Sequence, residues 1–211
     1  MQINEIFRSI SGESIQAGRP AIFIRTQHCP LRCSYCDTMY ALEGDEFTNM
    51  TVDGIMEELH QYTTKYVVLT GGEPLIQPDA VDLVRKLITA GYSVEIETSG
   101  AVGIKEVSRT SATITMDWKC PSSGMRDKML DGNLDELTTR DVLKYVVGSK
   151  EDLEEMADVY RRTRAHVFAS PVFGKIEPKE IVEYILEHNL DNIRFQLQLH
   201  KFIWPVDKRG V

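Results

Sequence analysis

Two rhythms divide the apolar and polar positions of this chain. Runs rich in β-branched residues recur at Ala21 to Arg25, Tyr66 to Thr70, Ser93 to Glu97, Thr113 to Asp117, Val142 to Val147, His166 to Ala169 and Ile193 to Leu199. Such short runs predict strands, and Gln2 to Phe7 predicts an eighth at the edge of the sheet. Between most of them lie stretches whose apolar residues return every three or four positions, the helical repeat. Pro78 opens one at its first turn and Gly91 closes it, with Val81, Val84, Leu87 and Ile88 as the buried stripe. Ser149 caps a second, which carries Leu153, Met156, Ala157 and Tyr160; Pro178 starts a third, with Ile181, Val182, Ile185 and Leu186 on one face. Strand and helix in alternation imply parallel strands joined by right-handed crossovers. The units are too few for eightfold closure, so the expected fold class is α/β, a partial (open) TIM-like barrel of parallel strands with outer helices.

Composition narrows the setting. With 42% hydrophobic content, residues 1–211 can fill one core and are expected to form a single domain. No apolar run approaches the roughly 20 residues of a membrane helix, and MQINEIFRSI has the pattern of a strand rather than a signal peptide, so the expected location is cytoplasmic, with no membrane partner. Acidic residues number 32 against 24 basic, a net charge of -8, and no basic run is present. That excludes a nucleic-acid backbone as the main ligand and favours small-molecule chemistry.

In parallel α/β folds ligands sit beyond the carboxyl ends of the strands, and the polar motifs of this chain fall there. Strand Tyr66 to Thr70 runs into Gly71-Gly72-Glu73-Pro74, Ser93 to Glu97 into Thr98-Ser99-Gly100, and Thr113 to Asp117 into Trp118-Lys119. After Ala21 to Arg25 come Cys29, Cys33 and Cys36, spaced C-x-x-x-C-x-x-C. Thiolates are soft ligands that favour iron–sulfur clusters or zinc; three of them on a four-iron cube leave one iron open to an outside ligand. Structural zinc wants four ligands, and the remaining cysteine, Cys120, lies far along the chain without a partner beside it. A disulfide framework does not suit a long chain with no secretory leader and an odd thiol left over.

The cysteine triad with Tyr35 before its last member, followed by Gly71 to Pro74, resembles the radical S-adenosylmethionine (SAM) superfamily. Ser9 to Glu13, Cys36-Asp37-Thr38, Glu97 to Gly100, Cys120 to Gly124 and the tail Arg209 to Val211 narrow the resemblance, which runs from end to end, to the 7-carboxy-7-deazaguanine synthases. It implies a carbon–nitrogen lyase that converts 6-carboxy-5,6,7,8-tetrahydropterin to 7-carboxy-7-deazaguanine with loss of ammonia, in the biosynthesis of queuosine-type 7-deazapurines. It also implies a [4Fe-4S] cluster, SAM as a regenerated cofactor, Mg²⁺, a homodimer and a reductant such as flavodoxin.

The resemblance assigns roles residue by residue. Cys29, Cys33 and Cys36 hold the cluster, and Tyr35, Cys36, Asp37, Gly72, Ser99, Asp117, Trp118 and Lys119 contact SAM. Ile10, Ser11, Gly12, Arg25, Thr70 and Val211 contact the pterin; the Arg25 fork suits its carboxylate, and a tail ending in Val211 should not tolerate a tag. Thr38 is a Mg²⁺ ligand, completed by water and substrate. Glu13, Gln198 and His200 belong near the same site. Bland roles stay open beside these: a tight turn for Gly71 and Gly72, a surface cation for Arg25, a turn hydroxyl for Thr38, a cap or core role for His200. Ser14, where the family often has glycine, and Trp118, where many members carry a smaller residue or proline, depart from the pattern. Two other readings share the cysteines: another radical SAM enzyme, such as a glycyl-radical activating enzyme, and a non-catalytic iron–sulfur binding module.

Overall fold

A computed structural model describes residues 1–205 and 208–211. Its strands are β1 (Gln2–Ile10), β2 (Pro20–Thr26), β3 (Thr48–Asn49), β4 (Tyr66–Gly71), β5 (Ser93–Thr98), β6 (Thr113–Trp118), β7 (Val142–Val147), β8 (His166–Pro171) and β9 (Ile193–Phe195). They form one sheet in the order β3-β1-β2-β4-β5-β6-β7-β8-β9. From β2 onward every pairing is parallel, while β1 runs antiparallel to both β2 and β3. The longer helices are α1 (Val52–Glu58), α2 (Ala80–Thr89), α5 (Lys150–Val159) and α6 (Pro178–Glu187); single turns form α3 (Lys105–Ser108), α4 (Asn133–Glu136) and α7 (His200–Ile203). None of the described helices is long and apolar enough to cross a membrane.

Strand pleating sorts the side chains into two faces. Ile22, Ile24, Val67, Leu69, Val94, Ile96, Ile114, Met116, Leu143 and Tyr145 join the main core with Leu83, Val84, Leu87, Leu153, Met156 and Ile181 from the helices. The alternate positions face inward. There Ala21, Tyr66 and Val68 make a small apolar plug with Phe23, and nearer the carboxyl ends Arg25, Thr70, Glu97, Thr115, Asp117 and Lys144 line a cavity.

Strands β3 and β9 do not pair, so the sheet stays open. Its ends are tied instead by the loops that follow β1 and β9. Ser14 N donates to Gln196 Oε1 at 2.7 Å, Gln196 Nε2 donates back to Ser14 O at 3.0 Å, and Leu199 N donates to Gly12 O at 3.0 Å. The Ser14 hydroxyl also meets Thr115 Oγ1 at 2.8 Å. These bonds hold Ser14 in the left-handed region at φ 68°.

Several expectations need correction. Pro78 lies ahead of α2 rather than in its first turn: Gln77 is held extended between Gln2 N and Gln27 O, and Asp79 takes the cap position. The buried stripe of α2 is Ala80, Leu83, Val84 and Leu87, with Val81 and Ile88 at its margins. On α6 Ile181 faces the sheet but Leu186 is 69% exposed, because five residues on from Ile181 the helix has turned it outward. The last strand ends at Phe195; Gln196 to Leu199 form the tie to the loop after β1. Gln2 to Phe7, expected at the edge, belongs to β1 and lies one place in; the edge is β3, which pairs over only two residues, too short for a hydrophobic pattern. Ser149 does cap α5, accepting from Asp152 N, and Pro178 does open α6, within a capping box of Glu177 and Glu180.

Candidate active site

One cavity of about 530 Å³ opens at the carboxyl ends of the strands, within the range of small-molecule sites. Cys29, Cys33 and Cys36 line it, on the loop that leaves β2. That loop is fastened on three sides. Gly72 N donates to Thr26 O at 3.0 Å and Glu73 N to His28 O at 2.8 Å. Ser34 donates through its backbone N to Ser123 O at 3.0 Å and through its hydroxyl to Ser122 O at 2.7 Å. Lys201 of α7 reaches Asp37 Oδ2 at 2.9 Å.

The two glycines at the end of β4, Gly71 and Gly72, answer first to backbone crowding. Gly71 sits at φ 144°, and a Cβ on Gly72 would stand 2.7 Å from Ala41 O and closer still to the His28 carbonyl. Both let the turn lie flat on the cysteine loop. Glu73, fully buried, accepts from Thr98 Oγ1 at 2.9 Å, Ser99 N at 2.7 Å, Ser99 Oγ at 2.5 Å and Leu75 N at 3.0 Å. It thereby joins the ends of β4 and β5.

The cavity walls carry an unusual density of buried charge. Lys144 Nζ donates to Glu13 Oε2 at 2.6 Å and lies 3.3 Å from Asp117 Oδ2, which Lys119 also approaches at 3.0 Å. Burial pushes the Glu13 and Asp117 carboxyls up, but the lysines outweigh it and hold both below their ordinary values. Glu97 has no such contact; burial, with Glu95 and Glu13 nearby, pushes it up to about 7 against the pull of Lys144. Arg25 donates from Nε to Glu5 Oε1 at 2.7 Å, and its guanidinium lies over Phe7 and Tyr40. The tail lies across this end: Arg209 covers the Tyr40 ring at 3.7 Å, and Val211 lines the cavity.

Of the residues singled out in the sequence, the cavity brings together Ile10, Gly12, Arg25, Cys29, Cys33, Tyr35, Cys36, Asp37, Thr38, Thr70, Gly72, Ser99, Asp117, Lys119 and Val211. Two stand apart. Trp118 follows Asp117 on β6, so the pleat sends it to the helical face, fully buried, where Nε1 donates to Glu155 Oε1 at 3.0 Å. Ser11 is buried beside the cavity, its hydroxyl donating to Glu13 O at 3.0 Å. Glu13, Gln198 and His200 do line the cavity, and a Cβ on Gly12 would collide with the His200 ring. Sequence reasoning missed Lys144, although a single charge inside the apolar run VLKYVV is the signal that could have found it. Lys201, on a four-residue helix, gave no such signal.

The donor set fits an iron–sulfur cluster. All three thiols are free, and burial pushes each up, Cys33 to about 11, so they would give up their protons on binding metal. Among the described residues no group of three His, Cys, Asp or Glu side chains is placed to hold a single ion; a four-iron cluster takes one thiolate per iron, and its ligands need not meet at a point. Polar groups for a charged cofactor adjoin them: the Tyr35 hydroxyl and Asp117 Oδ1 are buried with no partner among the described residues.

Comparison with known proteins gives the same picture. A family model described as the radical SAM superfamily matches residues 23–187. The 7-carboxy-7-deazaguanine synthase of Clostridium acetobutylicum is 38% identical over 218 residues, covering 100% of this chain and 99% of that protein. Its namesake from Methanospirillum hungatei is 43% identical over 206 residues, 96% of this chain and 85% of that protein. Among solved structures, that of QueE from Escherichia coli superposes with a TM-score of 0.79 at 25% identity over 94% of each chain. SuiB from Streptococcus suis, bound to its precursor peptide SuiA, shares the fold at a TM-score of 0.60 and 14% identity, over 83% of this chain and 47% of that one.

Proposed function

Since the chain belongs to the radical SAM superfamily and, within it, to the 7-carboxy-7-deazaguanine synthases, we propose that its cavity converts 6-carboxy-5,6,7,8-tetrahydropterin to 7-carboxy-7-deazaguanine with loss of ammonia. The chain is thus a lyase of 7-deazapurine biosynthesis that uses a [4Fe-4S] cluster, SAM, a small-molecule substrate and a reductant. When bound, the cluster and SAM supply the one-electron chemistry that starts the rearrangement.

The protein's part is to bind, orient and exclude water. Cys29, Cys33 and Cys36 would hold the cluster; Tyr35, Cys36, Asp37, Gly72, Ser99, Asp117 and Lys119 would surround SAM. Glu73 occupies the Ser99 hydroxyl's proton, which leaves that oxygen as an acceptor. Ile10, Gly12, Arg25, Thr70 and Val211 would take the pterin. With Nε committed to Glu5, Arg25 keeps its terminal nitrogens for a carboxylate. Thr38, which donates to Asp37 Oδ1 at 3.0 Å, would turn its oxygen to Mg²⁺. A single domain, homodimeric assembly, a flavodoxin-like donor and a cytoplasmic location complete the proposal, on the strength of the sequence resemblance.

One observation supports the reading above others: the three cysteines, Arg25 and Val211, distant in sequence, line the same cavity. Mass spectrometry of an anaerobic reaction with reconstituted protein, reductant, SAM, Mg²⁺ and 6-carboxytetrahydropterin tests it. 7-Carboxy-7-deazaguanine is expected from the wild type and not from Cys33→Ala. Cleavage of SAM without deazaguanine would leave the radical chemistry and remove the substrate.

A further inference from the structure

The end of the sheet away from the cysteines carries a second concavity. It holds about 450 Å³, again in the size range of small-molecule sites, between the turn that follows α5 and the start of β9. Arg161 and Arg164 line it from that turn, His166 from the first position of β8 and Arg194 from β9, with Asp191 as the one carboxylate on its wall. In a chain of net charge -8 this is a concentration of cations, although its stretch RRTR is shorter than the about five to eight residues of a basic run.

These guanidiniums are placed without being neutralised. Arg161 Nε donates to the Tyr160 hydroxyl at 2.7 Å, and the guanidinium lies 5.1 Å from the centre of that ring; that of Arg194 lies 5.7 Å from the centre of the Phe168 ring. Among the described residues none of Arg161, Arg164 and Arg194 has a carboxylate within 4.0 Å, whereas Arg162 turns away to Asp131 at 2.8 Å. The C-terminus of α5 attracts cations, but that pull fades within one turn. It accounts for Arg161 and Arg162, not for Arg164 beyond them or for Arg194, which arrives from another strand. Like charges gathered on a concave wall repel one another and raise the potential in front of them, and an anion relieves both.

We propose that this concavity binds a phosphate-bearing small molecule through a pair of linked phosphates, with Arg164 and Arg194 as principal ligands. A guanidinium fork takes two phosphate oxygens at once; three forks exceed the terminal oxygens of one phosphate and match those of two linked ones. The site is separate from the catalytic cavity, so it stands or falls independently of the reaction proposed above.

Isothermal titration calorimetry of the reconstituted holoenzyme in Mg²⁺-free buffer tests this with pyrophosphate, orthophosphate and ADP. Pyrophosphate should bind about 10-fold or more tightly than orthophosphate. Arg164→Ala and Arg194→Ala should each weaken it by about 10- to 100-fold, the worth of a charge-assisted bond, while Arg162→Ala, in the same stretch but paired elsewhere, leaves it unchanged. All three side chains are exposed, so the variants should melt with the wild type. ADP bound more tightly than pyrophosphate would make the ligand a nucleotide, and equal or weaker binding would make it the inorganic diphosphate; either keeps the inference. Failure of the wild type to bind pyrophosphate at about 1 mM, orthophosphate bound as tightly, or equal binding by the Arg164→Ala, Arg194→Ala double variant overturns it.

Discussion

Gly72→Ala adds one methyl group where three backbone atoms already stand. The new Cβ would lie 2.7 Å from Ala41 O and nearer to the His28 carbonyl carbon and oxygen. None of these can swing aside as a side chain would. Either the Gly71–Pro74 turn or the cysteine loop must shift, and the bonds from Gly72 N to Thr26 O and from Glu73 N to His28 O stretch with it. Overpacking of this kind costs about 1–3 kcal/mol, and each weakened backbone bond adds up to about 1 kcal/mol. For a chain of this size each kcal/mol moves Tm by about 2–4 °C, so a fall of about 2–20 °C is expected by calorimetry. His28 precedes Cys29, so iron bound per chain after anaerobic reconstitution should fall too. Gly103→Ala is the control, since a Cβ there meets nothing within 4 Å and the backbone is not left-handed. A Gly72→Ala protein that melts with this control and loads the same iron would refute the reasoning.

Other substitutions separate the remaining roles. Glu73→Gln keeps one acceptor but turns an amide NH₂ on the donors of the other oxygen, either Ser99 N and Oγ or Thr98 Oγ1 and Leu75 N; a loss of about 2–3 kcal/mol in urea unfolding is expected, and an unchanged midpoint would show that those bonds are replaceable. Glu97, raised to about 7 from 4.5, makes the native state bind more protons than the unfolded chain between those values. Stability should therefore fall by about 3 kcal/mol as pH rises through that window, and Glu97→Gln should flatten this part of the profile; parallel profiles would contradict the assignment. Trp118→Phe removes the bond to Glu155 on the helical face and should cost about 1 kcal/mol with iron and SAM binding unchanged, whereas weakened SAM binding would return Trp118 to the site.

The strands and the end of the sheet that bears the site were legible because both depend on local pattern. Runs such as YVVLT and VLKYVV pack against helices on one face, so β-branched residues mark them whatever surrounds them. Motifs at the carboxyl ends of strands converge by topology alone, which is why the cysteines, Thr70, Gly72, Ser99 and Asp117 meet in one cavity. Less legible was the face of each residue. In TMDW the Asp and the Trp are neighbours in sequence and opposite in space, and reading them as one segment put Trp118 in the site. Glu95, Glu97, Thr115, Asp117 and Lys144 recur at every second position of β5 to β7, a period of two that marks a polar interior. Gln196 to Leu199 looked like strand because their partners lie some 180 residues away, and no local pattern records such a tie.

Proximity to a cofactor site does not make every motif a contact. The Gly71–Pro74 turn, which also lines the cavity, and the Cys120–Gly124 segment both border the cysteine loop and give it backbone geometry: Glu73 and Gly72 grip one side, Ser122 and Ser123 the other. Buried anchors of this kind fix positions to fractions of an ångström, the tolerance a reacting site requires. The thiols show the complementary behaviour. Burial holds them protonated, so the fold supplies their positions and leaves the charge to the metal that displaces their protons. It follows that substitutions in the two gripping motifs should act on how much iron is held, whereas those at Arg25 should act on which ligand is bound, and the two classes should separate when iron content and ligand affinity are measured on the same protein.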